Sequence, residues 1–165
     1  MAATRIMAIH VGKSGSAQKA VSRVIDYVEN PEKTNNKQLV SSYQCNPSIA
    51  GTEFMFLRGQ YLRNTGRSQG KNEVAAYHIR QSFVPGEDTP EEANRLGCEF
   101  AKRFTKGKHA FVVCTHIDKV HIHNHIVWSS TIQYRFMVYF QAIQNQFQLS
   151  IIIGTISEIV NKSLT

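Results

Sequence analysis

The stretch Thr115–Trp128, THIDKVHIHNHIVW, limits what this chain can fold into more than any other. Four of the seven histidines, His116, His121, His123 and His125, fall within it. His121, His123 and His125 alternate with Ile122, Asn124 and Ile126. In a strand, residues two apart share a face, so these three imidazoles point one way. The preceding His109–His116, HAFVVCTH, also reads as a strand. Ile117–Val120 between them, with Asp118 and Lys119, suits a short hairpin loop. A hairpin pairing His116 with His121 puts all four imidazoles on one face of two neighbouring strands.

Packed imidazoles repel once protonated, and burying them without partners is costly. One bound divalent metal accounts for the cluster. Neutral imidazole is the commonest metal ligand, and three histidines leave coordination positions open for substrate. A hydrogen-bonded, histidine-rich sheet face and a chance cluster are the bland alternatives; four histidines on one face favour the metal.

A length of 165 residues corresponds to about one domain, and an apolar fraction of 42% can supply its core. The formal net charge of +7 points to a polyanionic partner, most often nucleic acid. Cys45, Cys98 and Cys114 are odd in number and form no C-x-x-C, which argues against a disulfide framework or a cysteine zinc site. The N-terminus lacks the apolar core of a signal peptide. No run reaches the roughly 18 apolar residues of a membrane span, so the expected place is the cytoplasm, without membrane insertion.

In chain order, Thr4–Val11 reads as a strand and Gly12–Ser16 as a loop whose GKS lacks the earlier glycine of a phosphate loop. Val21, Val24, Ile25 and Val28 form the apolar stripe of a helix over Ala17–Val28, ended by Asn30-Pro31. Tyr27 lies beside that stripe, either as a packing residue or with its phenol at the helix mouth. Gln38–Cys45 reads as a strand, and Ile49–Arg63 as a helix with Thr52 as its cap. Asn64–Lys71, NTGRSQGK, is a basic loop: a solvated segment or a contact to a nucleic-acid backbone. Lys13, Arg63, Arg67 and Lys71 are the candidate backbone contacts outside the strands.

Glu73–Val84 reads as a long strand with His78, Arg80 and Ser82 on one face and Tyr77, Ile79, Gln81 and Phe83 on the other. His78 and Arg80 add two further DNA-binding candidates. Thr89-Pro90-Glu91-Glu92 opens a third helix: cap, first-turn proline, then acids. Gly107 stops it. The order of elements, with a closing hairpin, predicts an α+β fold: an antiparallel-rich central sheet with helices on one face and the histidine-lined metal site on the other. Residues 1–131 form the expected catalytic core. Residues 132–165 are rich in Gln, Ile and aromatics, lack a clear period, and carry no candidate site.

Three separated motifs in this order resemble those of the relaxases, the mobilisation nucleases of conjugative plasmids and transposons, within the larger histidine–hydrophobic–histidine endonuclease group. IDYVENPEKT looks like the first motif, whose tyrosine is the nucleophile, and this implies that role for Tyr27. AYHIRQSFVPGE looks like the second, in which Ser82 would help to hold DNA. HIDKVHIHNH looks like the third, where a histidine is followed seven and nine positions later by two more. The resemblance implies His116, His123 and His125 as ligands of one divalent ion, magnesium or manganese first and zinc as the alternative. His121 is then an extra group, supporting a ligand or substituting for one.

The resemblance covers about residues 4–131 and implies a palm-like relaxase sheet. It also implies site- and strand-specific nicking and transfer of single-stranded DNA at an origin of transfer, with accessory DNA-binding proteins and a coupling protein as partners. After about residue 131 the chain departs from the family pattern, as a truncation, a frameshift or an interrupted gene would produce. Three rival readings follow. One is a phosphoesterase that activates water while Tyr27 only packs. Another is a non-catalytic DNA-binding remnant. The third is a replication initiator of the same group. If Tyr27 is not the nucleophile, Tyr43 and Tyr77 are next in line.

Overall fold

A computed structural model describes residues 3–10, 16–67 and 73–132. The candidate contacts Lys13 and Lys71, and the tail 133–165, lie outside the described residues. Five strands, β1 (Ala3–His10), β2 (Val40–Tyr43), β3 (Val74–Ser82), β4 (Phe111–His116) and β5 (His123–Ser129), form one sheet in the order β1-β3-β5-β4-β2. Every pairing is antiparallel. Among the described residues the α-helices are α1 (Ala17–Val28), α2 (Ala50–Thr65) and α3 (Pro90–Phe104). The expected α+β class with an antiparallel sheet is therefore the observed one.

α1 forms where its stripe predicts. Val21, Ile25 and Val28 are buried, and the Ser16 hydroxyl accepts the Lys19 N–H at 3.2 Å as the cap. Burying each of these side chains contributes roughly 1.5–3 kcal/mol. They pack with Ala50 and Phe54 of α2 against Ala76, Val112, Cys114 and Val127 of the sheet. α2 begins differently from expectation. Asn46 caps a 3₁₀ turn over Pro47–Ile49 by accepting the Ser48 N–H at 3.0 Å, and this turn feeds directly into α2. Thr52 thus lies inside the helix and caps nothing, because a capped turn already stands upstream.

α3 covers the opposite face, against Ile79, Phe111, Val113, Ile126 and Trp128. Thr89 caps it, accepting the Glu92 N–H at 3.2 Å, with Pro90 in the first turn. The helix can lie this close because of Gly97, where an added Cβ would stand 2.5 Å from Asn124 Nδ2 and 2.9 Å from Val113 Cγ1. Asn124 then donates to the Ala93 carbonyl at 2.6 Å and accepts from the Thr115 hydroxyl at 2.7 Å.

Strand alternation makes that last contact matter for the site. Asn124 is anchored to α3 on one face, so His123 and His125 on either side of it must face the other. The layering is richer than expected: α3 alone lies opposite the histidines, while α1 and α2 share the histidine face and cover its remainder. They do so because the apolar residues of that face, Ala76, Val112 and Val127, continue beyond the histidines and need a cover.

Candidate metal centre

The hairpin that carries the histidines pairs His116 with His123 and Cys114 with His125. The expected pairing of His116 with His121 is corrected: the connection runs over residues 117–122, and His121 precedes β5 without joining the ladder. Three tethers hold that longer loop. The Ile117 N–H donates to the Lys33 carbonyl at 3.0 Å, and the Phe83 N–H donates to the Ile122 carbonyl at 3.0 Å. Asp118 pairs with Lys33 at 3.6 Å.

His116, His123 and His125 are buried together, and each offers one ring nitrogen such that all three lie within 4.8 Å of one another. Ring centroids are 4.4 Å apart for His116–His125, 5.2 Å for His116–His123 and 5.1 Å for His123–His125. The second nitrogen of each ring is held from behind. His116 Nε2 donates to the Val28 carbonyl at the end of α1, at 2.9 Å. His123 Nδ1 donates to the His121 carbonyl at 3.3 Å. His125 Nδ1 meets His78 Nε2 at 2.8 Å.

A carbonyl can only accept, so His116 carries its proton on Nε2 and its lone pair on Nδ1. That Nδ1, and likewise His125 Nε2, is buried without a hydrogen-bond partner. A buried ring nitrogen left unpaired costs about 1–3 kcal/mol unless something occupies it. A ring fixed through one nitrogen with the other bare is the usual form of a metal-ligating histidine. The residues present therefore fit a divalent ion held by His116 Nδ1, His123 Nε2 and His125 Nε2.

Electrostatics agree. Burial pushes the His125 imidazole down to about 2 and the His78 imidazole down to about 4; repulsion from neighbouring imidazoles, were they protonated, and from Arg80 lowers both further. Burial also lowers His116 and His123. All four are neutral at pH 7 and free to present lone pairs.

Tyr27, in the last turn of α1, stands beside this cluster. Its ring is edge-on to His116 and His125 with centroids 5.8 and 5.6 Å away, and it is 51% exposed, so one side meets the histidines and the other meets solvent. The Lys33 ammonium lies 4.5 Å from the centre of the Tyr27 ring. Tyr43 and Tyr77 are on the far face, stacked on Phe111 and Trp128. Among the tyrosines the sequence offered for the chemistry, Tyr27 is the one brought to the triad.

Ser82 sits opposite His123 across the β3–β5 ladder, at the rim of the cluster. Arg80, exposed, is opposite His125. His78 was a candidate DNA contact, but it is buried and spends its Nε2 on His125, so it supports a ligand candidate rather than facing a strand. Arg63 and Arg67 are exposed near the end of α2. That helix is tied through Arg58 to Glu73 at 2.7 Å, just before β3, whereas Ser82 and His123 mark the other end of that strand. The two arginines are thus not brought to the triad. The sequence did not announce the Val28 carbonyl behind His116 or Lys33 over Tyr27. The first carries no side-chain signal, and the second depends on loop path.

Residues 27–150 match the family described as Relaxase: MobA/VirD2-like, nuclease domain. The chain is 35% identical over 135 residues to the group II intron-interrupted relaxase LtrB of Lactococcus lactis subsp. cremoris (strain MG1363), a match covering 70% of this chain and 24% of that protein. It is 38% identical over 112 residues to Protein rlx of Staphylococcus aureus, covering 68% of this chain and 31% of that protein. The chain thus spans less than a third of the length of these curated relatives, 24% of one and 31% of the other. The chain belongs to the MobA/VirD2-like relaxase nuclease-domain family.

Among the described residues, no helix is long and apolar enough to cross a membrane.

Proposed function

We propose that the protein is a metal-dependent, site- and strand-specific DNA strand transferase that nicks single-stranded DNA at an origin of transfer. The observation that carries this reading is the half-exposed Tyr27 ring lying 5.6 Å from the imidazole of His125, within a triad whose His116 and His125 each keep a bare, buried nitrogen. His116, His123 and His125 would hold one divalent ion. When bound, that ion supplies Lewis-acid stabilisation of the scissile phosphate. All-imidazole ligation favours manganese or zinc over magnesium, which prefers oxygen donors.

The chain's own residues do the rest. The Tyr27 hydroxyl oxygen bonds to the scissile phosphorus as the bond from phosphorus to the 3′ oxygen breaks. The phenol gives up its proton, and the departing 3′ oxygen becomes a hydroxyl. One phosphodiester replaces another, so the 5′-phosphotyrosine keeps the bond energy and the strand can be rejoined. Ser82 at the rim and Arg80 on the same face help to hold the strand. Accessory DNA-binding proteins and a coupling protein complete this reading.

The test is incubation of the protein with single-stranded origin DNA and Mn²⁺ or Mg²⁺, followed by a denaturing gel. A covalent protein–DNA band that needs the metal is expected. Cleavage into two free ends would instead favour the water-activating phosphoesterase, and DNA binding with neither product would favour the non-catalytic remnant.

A further inference from the structure

Two arginines stand directly opposite each other on the histidine face. Arg5 of β1 is the register partner of Arg80 of β3, and Arg80 is in turn the partner of His125 of β5. The three residues form one row across three strands, with neighbours about 5 Å apart. Both arginines are exposed, and neither forms an ion pair with another of the described residues. Like charges directly opposite each other destabilise an antiparallel pair. An unneutralised pair beside a neutral histidine cluster is the arrangement a bound anion would stabilise. The forked, planar guanidinium matches phosphate oxygens, and two forks side by side suit one phosphate group or two successive ones. Arg80 is close enough to the site that its charge lowers His78, His123 and His125. Arg5 extends that positive field one strand further, to the open edge of the sheet.

We propose that Arg5 and Arg80 form a phosphate clamp that holds the DNA backbone next to the nucleotide presented to the histidine triad. The clamp rests on the strand-transferase reading and gives it a direction: the strand leaves the triad across β5, β3 and β1 towards the sheet edge. Arg5 enters as a binding residue that no motif identifies.

The experiment is binding of a fluorescent single-stranded oligonucleotide by the full chain at a series of salt concentrations. It compares wild type with Arg5→Gln, Arg80→Gln, the double variant, and Arg5→Lys as the charge-keeping control. Each Gln substitution should flatten the log–log salt dependence by about 0.7, and the pair by about 1.4, while Arg5→Lys keeps the wild-type slope. Cooperative melting of each variant shows that the fold is kept, and both residues are exposed. Removing the opposed charges should leave melting of the free protein equal or higher at low salt. A wild type that binds with a steep slope shared by the Gln variants would overturn the clamp and leave the DNA reading standing. A wild type that binds no single strand would overturn both.

Discussion

The imidazoles of His78 and His125 meet nitrogen to nitrogen at 2.8 Å, one strand apart, inside the sheet face that carries the triad. With its buried, partnerless Nε2 kept as a lone pair, His125 carries its proton on Nδ1 and donates it to His78 Nε2, which holds the ring in place. Replacing His78 with Ala frees that ring to rotate and to take the wrong tautomer. Metal affinity should fall by about 10–100-fold, the usual cost of losing a partner behind a ligating histidine. Calorimetric titration with Mn²⁺ or Zn²⁺ checks it. His78→Gln, which keeps an acceptor, should recover part of the loss, whereas unchanged affinity in His78→Ala would show that the contact orients nothing.

The proposed ligands separate from their neighbour. His123→Ala should abolish the metal-induced rise in melting temperature, because His123 belongs to the buried group of three. His121→Ala should leave most of it: His121 lies outside the ladder, its hydrogen bond to His123 comes from the backbone carbonyl that Ala retains, and only a ring contact at 5.7 Å is lost. Equal metal responses in wild type and His123→Ala would remove the triad from consideration.

Gly97 tests the layer that sets the direction of the histidines. A methyl group there meets Asn124 Nδ2 at 2.5 Å and Val113 Cγ1 at 2.9 Å. Overpacking of this kind costs about 1–3 kcal/mol. Gly97→Ala should lower the denaturant midpoint, and the metal response should weaken with it, since the displaced Asn124 lies between His123 and His125. A midpoint equal to wild type would show that α3 has room to move.

Acid should destabilise the metal-free protein. Burial lowers His78 from the ordinary 6.5 to about 4, and His116, His123 and His125 move the same way. Below pH 6.5 the unfolded chain binds protons that the folded chain refuses, so stability present above that pH is lost as pH falls towards 4. His78 alone should contribute a loss on the order of 2–3 kcal/mol across that window. Denaturant titrations in chelator at pH 7.5, 6 and 5 read it directly, and a flat profile would contradict neutral burial.

The parts of this molecule that local pattern can encode were legible in the sequence. The bounds of α1 follow from Val21, Ile25 and Val28. The start of α3 follows from Thr89 and Pro90, and the shared face of His116, His123 and His125 from alternation and spacing. What pairing decides was not legible. Two histidines, His121 and His123, could each stand opposite His116 with the same face preserved, and tethers from Lys33 and Phe83 outside the hairpin accompany the register seen. The alternation of β3 marked Arg80, but nothing near Arg5 in the sequence says that it lies across from Arg80. Thr52 looked like a cap because the upstream turn capped by Asn46 has no apolar period to announce it.

Tyr27 carries the central claim, and the most direct measurement asks which atom of the protein becomes joined to DNA. Wild type and Tyr27→Phe are incubated with Mn²⁺ and single-stranded origin DNA. Adducts are resolved on a denaturing gel, and the wild-type adduct is digested for peptide mass spectrometry. Tyr27→Phe removes only the hydroxyl of a half-exposed ring, so melting and DNA binding should match wild type. The predicted result is nucleotide mass on the wild-type peptide at Tyr27 and no adduct from Tyr27→Phe. An adduct that persists in Tyr27→Phe, or nucleotide mass on a different residue, would contradict it.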